Sequence, residues 1–132
     1  MDAESRDKAK QVSFRRLRNA FKFSFEGLKY AYTKEQSMLI HIIITTLAVG
    51  GGFYFKVTGT EWLFIILMIG LVAGLELVNT SIEATIDLIS PKIHPLAKIA
   101  KDTASAAVFV LSMVGLSGML IIFVPKIVEV LS

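Results

Sequence analysis

Four side chains with hard oxygen or amide groups recur at helical spacing inside an otherwise apolar stretch: Glu76, Asn79, Glu83 and Asp87. At about 100° per residue, with Glu76 as zero, Asn79 falls near −60°, Glu83 near −20° and Asp87 near +20°. All four therefore share one helix face. Ionisable groups inside a membrane span cost several kcal/mol each unless paired or wetted, so they are rare and usually functional. Clustered carboxylates suit Mg²⁺, which is commonly held by one or two carboxylates together with substrate phosphates. Desolvation raises a carboxylate's proton affinity, which makes the most deeply placed one, Glu76, the candidate general base. The competing reading is structural, with the acids paired to Lys98, Lys101 or N-terminal arginines.

Further along, Ser90-Pro91 and His94-Pro95 break the helix. A new helix then opens with Lys98, Lys101 and Asp102. Lys101 is placed to neutralise phosphate charge, and Asp102 to bind a metal or a nucleotide hydroxyl. A Lys-Asp pair at a membrane boundary also serves snorkelling and capping, so its weight comes from the neighbouring acidic face. No Walker A loop or dinucleotide glycine fingerprint is present, and any nucleotide is expected in a non-standard site. His41 and His94 stand too far apart in sequence to suggest a metal pair.

The elements that must position these groups are membrane helices. Of the 132 residues, 54% are hydrophobic, concentrated in blocks, which favours a membrane protein over a soluble helical bundle. The length suits one domain. The absence of cysteine excludes disulfides, thiolate metal sites and thiol nucleophiles. The N-terminus does not resemble a cleaved signal, since it is charged and meets no apolar stretch before about Met38. The predicted fold is all-α: a polar, mobile segment 1–12, then a membrane domain over 13–132. Within that domain a surface helix is expected at about 13–33 and spans at about 36–56, 61–89 and 97–125. Phe14, Leu17, Phe21, Phe25, Leu28 and Tyr32 form one apolar stripe of the surface helix, with Arg15, Arg16, Lys22 and Lys29 on the rest. Such a helix lies in the membrane surface and anchors the chain; it also brings Arg16 within reach of phosphate. Gly70 and Gly74 form a GxxxG on the side of the second span away from Glu76, a spacing that marks close helix packing.

The net charge is +3, and its placement matters more than its size. Residues 1–35 hold nine of the fourteen Lys and Arg, and Lys92, Lys98 and Lys101 lie between the second and third spans. The positive-inside rule puts the N-terminus and that connection in the cytoplasm and the C-terminus outside. Phe53, Tyr54, Phe55 and Trp62 then form an outer aromatic belt. Glu76 lies about 21 Å from Trp62 along the helix, in the cytoplasmic half of the bilayer. That depth suits chemistry between a lipid headgroup and a soluble substrate.

The run Glu76-Leu-Val-Asn79-Thr-Ser-Ile-Glu83-Ala-Thr-Ile-Asp87, then His94-Pro-Leu-Ala-Lys-Ile-Ala-Lys101-Asp102, resembles the bacterial diacylglycerol kinase family of small membrane kinases. Phe25-Glu-Gly27-Leu and Tyr30-Ala-Tyr-Thr-Lys-Glu35-Gln36 extend the likeness, which covers about residues 13–125. The resemblance implies a homotrimer that phosphorylates a lipid hydroxyl with MgATP at sites formed between subunits. It implies that Glu76 is the base, that Glu35 and Glu83 hold the metal, and that Asn79, Lys101 and Asp102 contact nucleotide and phosphate, with Arg16 and His94 nearby. Phe23 stands where some relatives carry a tyrosine near the nucleotide. The Phe-Glu-Gly-Leu and Glu-Gln-x-x-x-Ile-His41 elements look closer to the Gram-positive branch, whose implied substrate is undecaprenol, although Ser37 stands where that branch usually has asparagine. The alternatives are diacylglycerol as substrate, making phosphatidic acid, and a small proton-coupled transporter built on Glu76.

Overall fold

The structure, a computed structural model, describes residues 14–90 and 94–132. The expectations for segment 1–12, Pro91 and Lys92 lie outside the described residues. The described chain forms four helices: α1 (Phe14–Lys34), α2 (Gln36–Tyr54), α3 (Gly59–Ile89) and α4 (Pro95–Leu131). Helices α2, α3 and α4 are each long and apolar enough to cross a membrane. The expected architecture of three spanning helices after an N-terminal helix is therefore present.

Each boundary has a local cause. Glu35 alone separates α1 from α2: it is extended (φ −99°, ψ 122°), while its N–H still donates to Ala31 C=O at 2.9 Å and completes the α1 ladder. At the other end of α2, Lys56 takes a left-handed conformation with φ 50°. Val57 N–H donates to Gly52 C=O (3.1 Å) and Lys56 N–H to Phe53 C=O (3.3 Å), which closes the helix in a Schellman motif. Thr58 then caps α3. Its N–H donates to Glu61 Oε2 at 2.7 Å and its hydroxyl accepts from Glu61 N–H at 3.3 Å, a complete capping box. His94 caps α4, its Nδ1 accepting from Leu96 N–H at 3.2 Å. Helix α4 passes through Pro125 and continues to Leu131, beyond the span end expected near 125.

The packed core lies at the end of the bundle that holds the α2–α3 turn. Ala48, Val57, Ile65 and Ile122 are buried there, with Trp62, Phe64, Met119 and Phe123 packed against them. The Glu61 carboxylate and the Lys126 ammonium pair at 3.2 Å across α3 and α4 at this same end. Close helix approach depends on glycine at specific points. A Cβ on Gly52 would meet Trp62 Cη2 at 2.7 Å, and one on Gly118 would overlap the Phe64 ring. The Gly70–Gly74 pair, expected to mark close packing, faces open space within the chain, with nothing within 4 Å of either added Cβ.

Helix α3 packs on each of the other three, most extensively on α4. Of the most apolar stretches of α2, α3 and α4, only 17%, 22% and 17% is buried within the chain. Large apolar side chains such as Leu47, Ile66, Phe109 and Ile121 are exposed on all three helices. In water this surface would cost on the order of 25 cal/mol per Å²; in a bilayer it is the solvent-facing surface the environment requires.

Candidate active site

Glu76 is the one charged side chain buried among the described residues. It projects from the middle of α3 toward the first turn of α2, where Ser37 Oγ donates to its Oε2 at 3.0 Å. Met38, the next residue of α2, and Ala31, near the end of α1, are both fully buried, so packing fixes the α1–α2 joint beside the carboxylate. No other hydrogen bond or cationic partner reaches Glu76 among the described residues. A carboxylate held in this way can accept a proton.

The rest of the acidic face divides into two local arrangements. One turn on, Asn79 Nδ2 donates to Glu83 Oε1 at 2.9 Å. Asn79 Oδ1 is buried with no partner among the described residues. At the end of α3, Asp87 Oδ1 accepts from Lys101 Nζ at 2.7 Å and so ties α3 to α4. The pairing expected of a structural role therefore holds by direct contact for Asp87, while Glu83 acts on Lys101 through its charge without an ion-pair contact, and among the described residues Glu76 has no such partner. Asp102 pairs with Lys98 one turn away on α4, both largely exposed.

Glu35 is half-buried at the α1–α2 joint, and its side chain makes no capping bond. His94 is exposed and occupied as the α4 cap. Arg16 and Phe23 are exposed on α1. Counted along that helix, they stand about 28 Å and about 18 Å from the joint at Glu35. The chain thus gathers Ser37 with Glu76, Asn79 with Glu83, and Asp87 with Lys101, and leaves Arg16 far along α1 from the joint beside the buried carboxylate.

Among the described residues no three His, Asp or Glu side chains converge as a ready-made metal cage. Mg²⁺ commonly takes one or two protein carboxylates and its remaining ligands from substrate phosphates and water, so it does not require such a cage. The orphaned Asn79 Oδ1 beside Glu83 adds a hard oxygen with unused acceptor capacity, so the donor set fits such an ion.

Sequence reasoning missed the link from Ser37 to Glu76. The available signal was a polar stripe in an apolar helix: Ser37, His41 and Thr45 at i, i+4 and i+8. His41 and Thr45 line an apolar cleft of about 350 Å³ between α2, α3 and α4, together with Met68, Val72 and Met119. Val72 lies one turn, about 6 Å along α3, from Glu76, and from there the cleft runs toward Phe123 of the packed core.

Comparison with known proteins identifies the family. The family model for prokaryotic diacylglycerol kinases matches residues 22–123. The chain belongs to the prokaryotic diacylglycerol kinase family. As a member it is a multi-pass membrane lipid kinase, which transfers a phosphoryl group from a nucleotide. Among its relatives, an undecaprenol kinase from Bacillus subtilis (strain 168) is 36% identical over 124 residues, 94% of this chain and 99% of the relative. A diacylglycerol kinase from Helicobacter pylori (strain 26695) is 39% identical over 106 residues, 80% of this chain and 81% of the relative. The diacylglycerol kinase of Escherichia coli (strain K12) is 31% identical over 99 residues, 75% of this chain.

Proposed function

We propose that this kinase phosphorylates undecaprenol with MgATP, giving undecaprenyl phosphate, and that residues 13–132 form its catalytic domain. The observation that carries the site assignment is the buried Glu76 carboxylate, free of any cation among the described residues and held by one hydroxyl. The lipid reading draws its support from the undecaprenol kinase relative, whose likeness runs through nearly the whole of both chains.

In this reading Glu76 takes the proton of the lipid hydroxyl as that oxygen attacks the γ-phosphorus of ATP. Phosphoryl transfer requires alignment, charge neutralisation and a base, and no covalent intermediate. Glu35 and Glu83 are the carboxylates assigned to Mg²⁺, which when bound offsets phosphate charge. Asn79 orients Glu83 through its amide. Lys101 neutralises phosphate, Asp102 contacts the nucleotide, and His94, Arg16 and Phe23 stand at the edge of the nucleotide site. The distance from Arg16 to the joint along α1 supports sites shared between neighbouring subunits of a homotrimer. The basic N-terminal third supports a cytoplasmic N-terminus and an outward C-terminus in the bacterial plasma membrane.

Parallel assays in vesicles with undecaprenol, diacylglycerol and radiolabelled ATP test the proposal. A higher kcat/KM for undecaprenol supports it. A higher kcat/KM for diacylglycerol, the substrate class named by the Helicobacter relative, replaces it with the second reading. Incorporation into neither lipid overturns both.

A further inference from the structure

Serine and threonine hydroxyls within helices usually turn back to the carbonyl three or four residues earlier. Ser24, Thr33, Thr46, Thr85, Thr103 and Ser117 all do so here, donating to Ala20, Lys29, Ile42, Ser81, Ile99 and Met113 respectively. Ser37 departs from them. Its Oγ crosses to another helix and donates to Glu76 Oε2, 39 positions away in the chain.

The reason lies in the helix start. Ser37 is the second residue of α2, and the carbonyl four residues back belongs to Thr33 of α1. The extended Glu35 turns the chain between them, so no carbonyl of Ser37's own helix lies three or four residues before it. The one-residue joint thereby frees the hydroxyl. The full burial of Met38 next to it fixes the direction in which Ser37 faces.

We propose that Ser37 is a positioning residue for Glu76. It holds Oε2, so that Oε1 is the oxygen presented to the lipid hydroxyl. This rests on the reading of Glu76 as base. In the step itself, the alcohol oxygen forms its bond to the γ-phosphorus while its proton passes to Glu76 Oε1. The bond from that phosphorus to the bridging oxygen breaks, and ADP leaves with the electron pair. Glu76 is reset by loss of the proton to water. Ser37 keeps its own proton throughout and touches neither substrate. Its contribution is to remove the rotamer freedom of a long, flexible side chain before the alcohol arrives.

The test compares two variants of equal shape, Ser37→Thr and Ser37→Val, which differ in the hydroxyl alone. Ser37→Ala and Glu76→Gln are measured alongside, all in full-length protein in the same vesicles. A hydrogen bond to a charged group corresponds to roughly ten- to a hundredfold in rate. Ser37→Val and Ser37→Ala should therefore lose roughly that factor in kcat. Their KM values for MgATP and for undecaprenol should stay within about twofold of wild type. Ser37→Thr should keep at least about half of wild-type kcat, because its hydroxyl reaches the same oxygen. Equal kcat for the Thr and Val variants overturns the proposal. So does a loss in Ser37→Val that appears as a rise in KM or that follows a fall in melting temperature shared with Ser37→Thr. The two readings fail differently: a fully active Glu76→Gln removes the base assignment, whereas an inactive Glu76→Gln beside a fully active Ser37→Val removes only the positioning role.

Discussion

Replacing Glu76 by glutamine exchanges one atom of the buried group and leaves its shape intact. Ser37 Oγ, 3.0 Å from Oε2, is a donor and needs an acceptor opposite it. In the Glu76→Gln variant the amide carbonyl must turn to Ser37, which directs the NH₂ group to the place Oε1 holds in the wild type. That group donates and cannot accept a proton. General-base catalysis contributes about 10²- to 10⁴-fold, or about 2.7–5.4 kcal/mol at about 1.36 kcal/mol per decade. The fold is not expected to suffer, because the substitution removes a charge from a side chain only 9% exposed and keeps its hydrogen bond. The assay is transfer of radiolabelled phosphate to undecaprenol in vesicles, with MgATP binding followed by thermal shift of the same preparation. The expected variant melts no lower than wild type, still binds MgATP and loses at least about a hundredfold in kcat. A kcat within about tenfold of wild type, with fold and nucleotide binding intact, refutes the base assignment.

Other substitutions separate structural from chemical roles. Lys101→Ala breaks the 2.7 Å pair with Asp87, yet both side chains are partly exposed, so the melting temperature should barely move. The KM for MgATP should rise about tenfold if a direct charge contact is lost, and an unchanged KM would remove Lys101 from the phosphate site. His94→Asn keeps an acceptor for Leu96 N–H and should melt near wild type, whereas His94→Ala loses the α4 cap at a cost of about 1 kcal/mol. If the Asn variant also keeps the wild-type KM for MgATP, His94 is a cap and no more. Gly118→Val drives a side chain into the Phe64 ring and should destabilise the α3–α4 contact by about 1–3 kcal/mol, read as a lower melting temperature in detergent. Gly70→Val meets no atom within its own chain, so a melting temperature below wild type for it would report a contact made outside the chain and not packing within it.

Long apolar runs and their charged borders made the three spanning helices legible in the sequence. The phase of Glu76, Asn79, Glu83 and Asp87 made their common face legible as well, because both follow from local periodicity. What each acid meets is not settled by the shared face. Asp87 finds Lys101 on the next helix, 14 residues on, while Glu83 finds an amide within its own helix. The i,i+4 spacing permits the Asn79–Glu83 contact, but no spacing rule supplies the partner of Asp87 on another helix. The glycines make the same point from the opposite direction. Gly70 and Gly74 carry the recognisable motif and face open space within the chain, while Gly52 and Gly118, in no such pairing, sit under Trp62 and the Phe64 ring. A small-residue motif reports that a face permits close approach. It does not report whether a neighbour takes it up.

The single-residue joint at Glu35 has a mechanical consequence. A loop of several residues would let α1 and α2 reorient independently, but one extended residue offers two torsions and no slack. Helix α2, at 19 residues, is the shortest of the three spanning helices. A membrane thicker than its apolar length is met by local thinning, and a thinner one by tilting the helix. Any such tilt must be absorbed at Glu35 or passed on to α1, and both ends of that choice bear on the Ser37 hydroxyl two residues away. Bilayer thickness is therefore a variable of this enzyme, in the sense that a lever's setting is a variable of whatever it is bolted to.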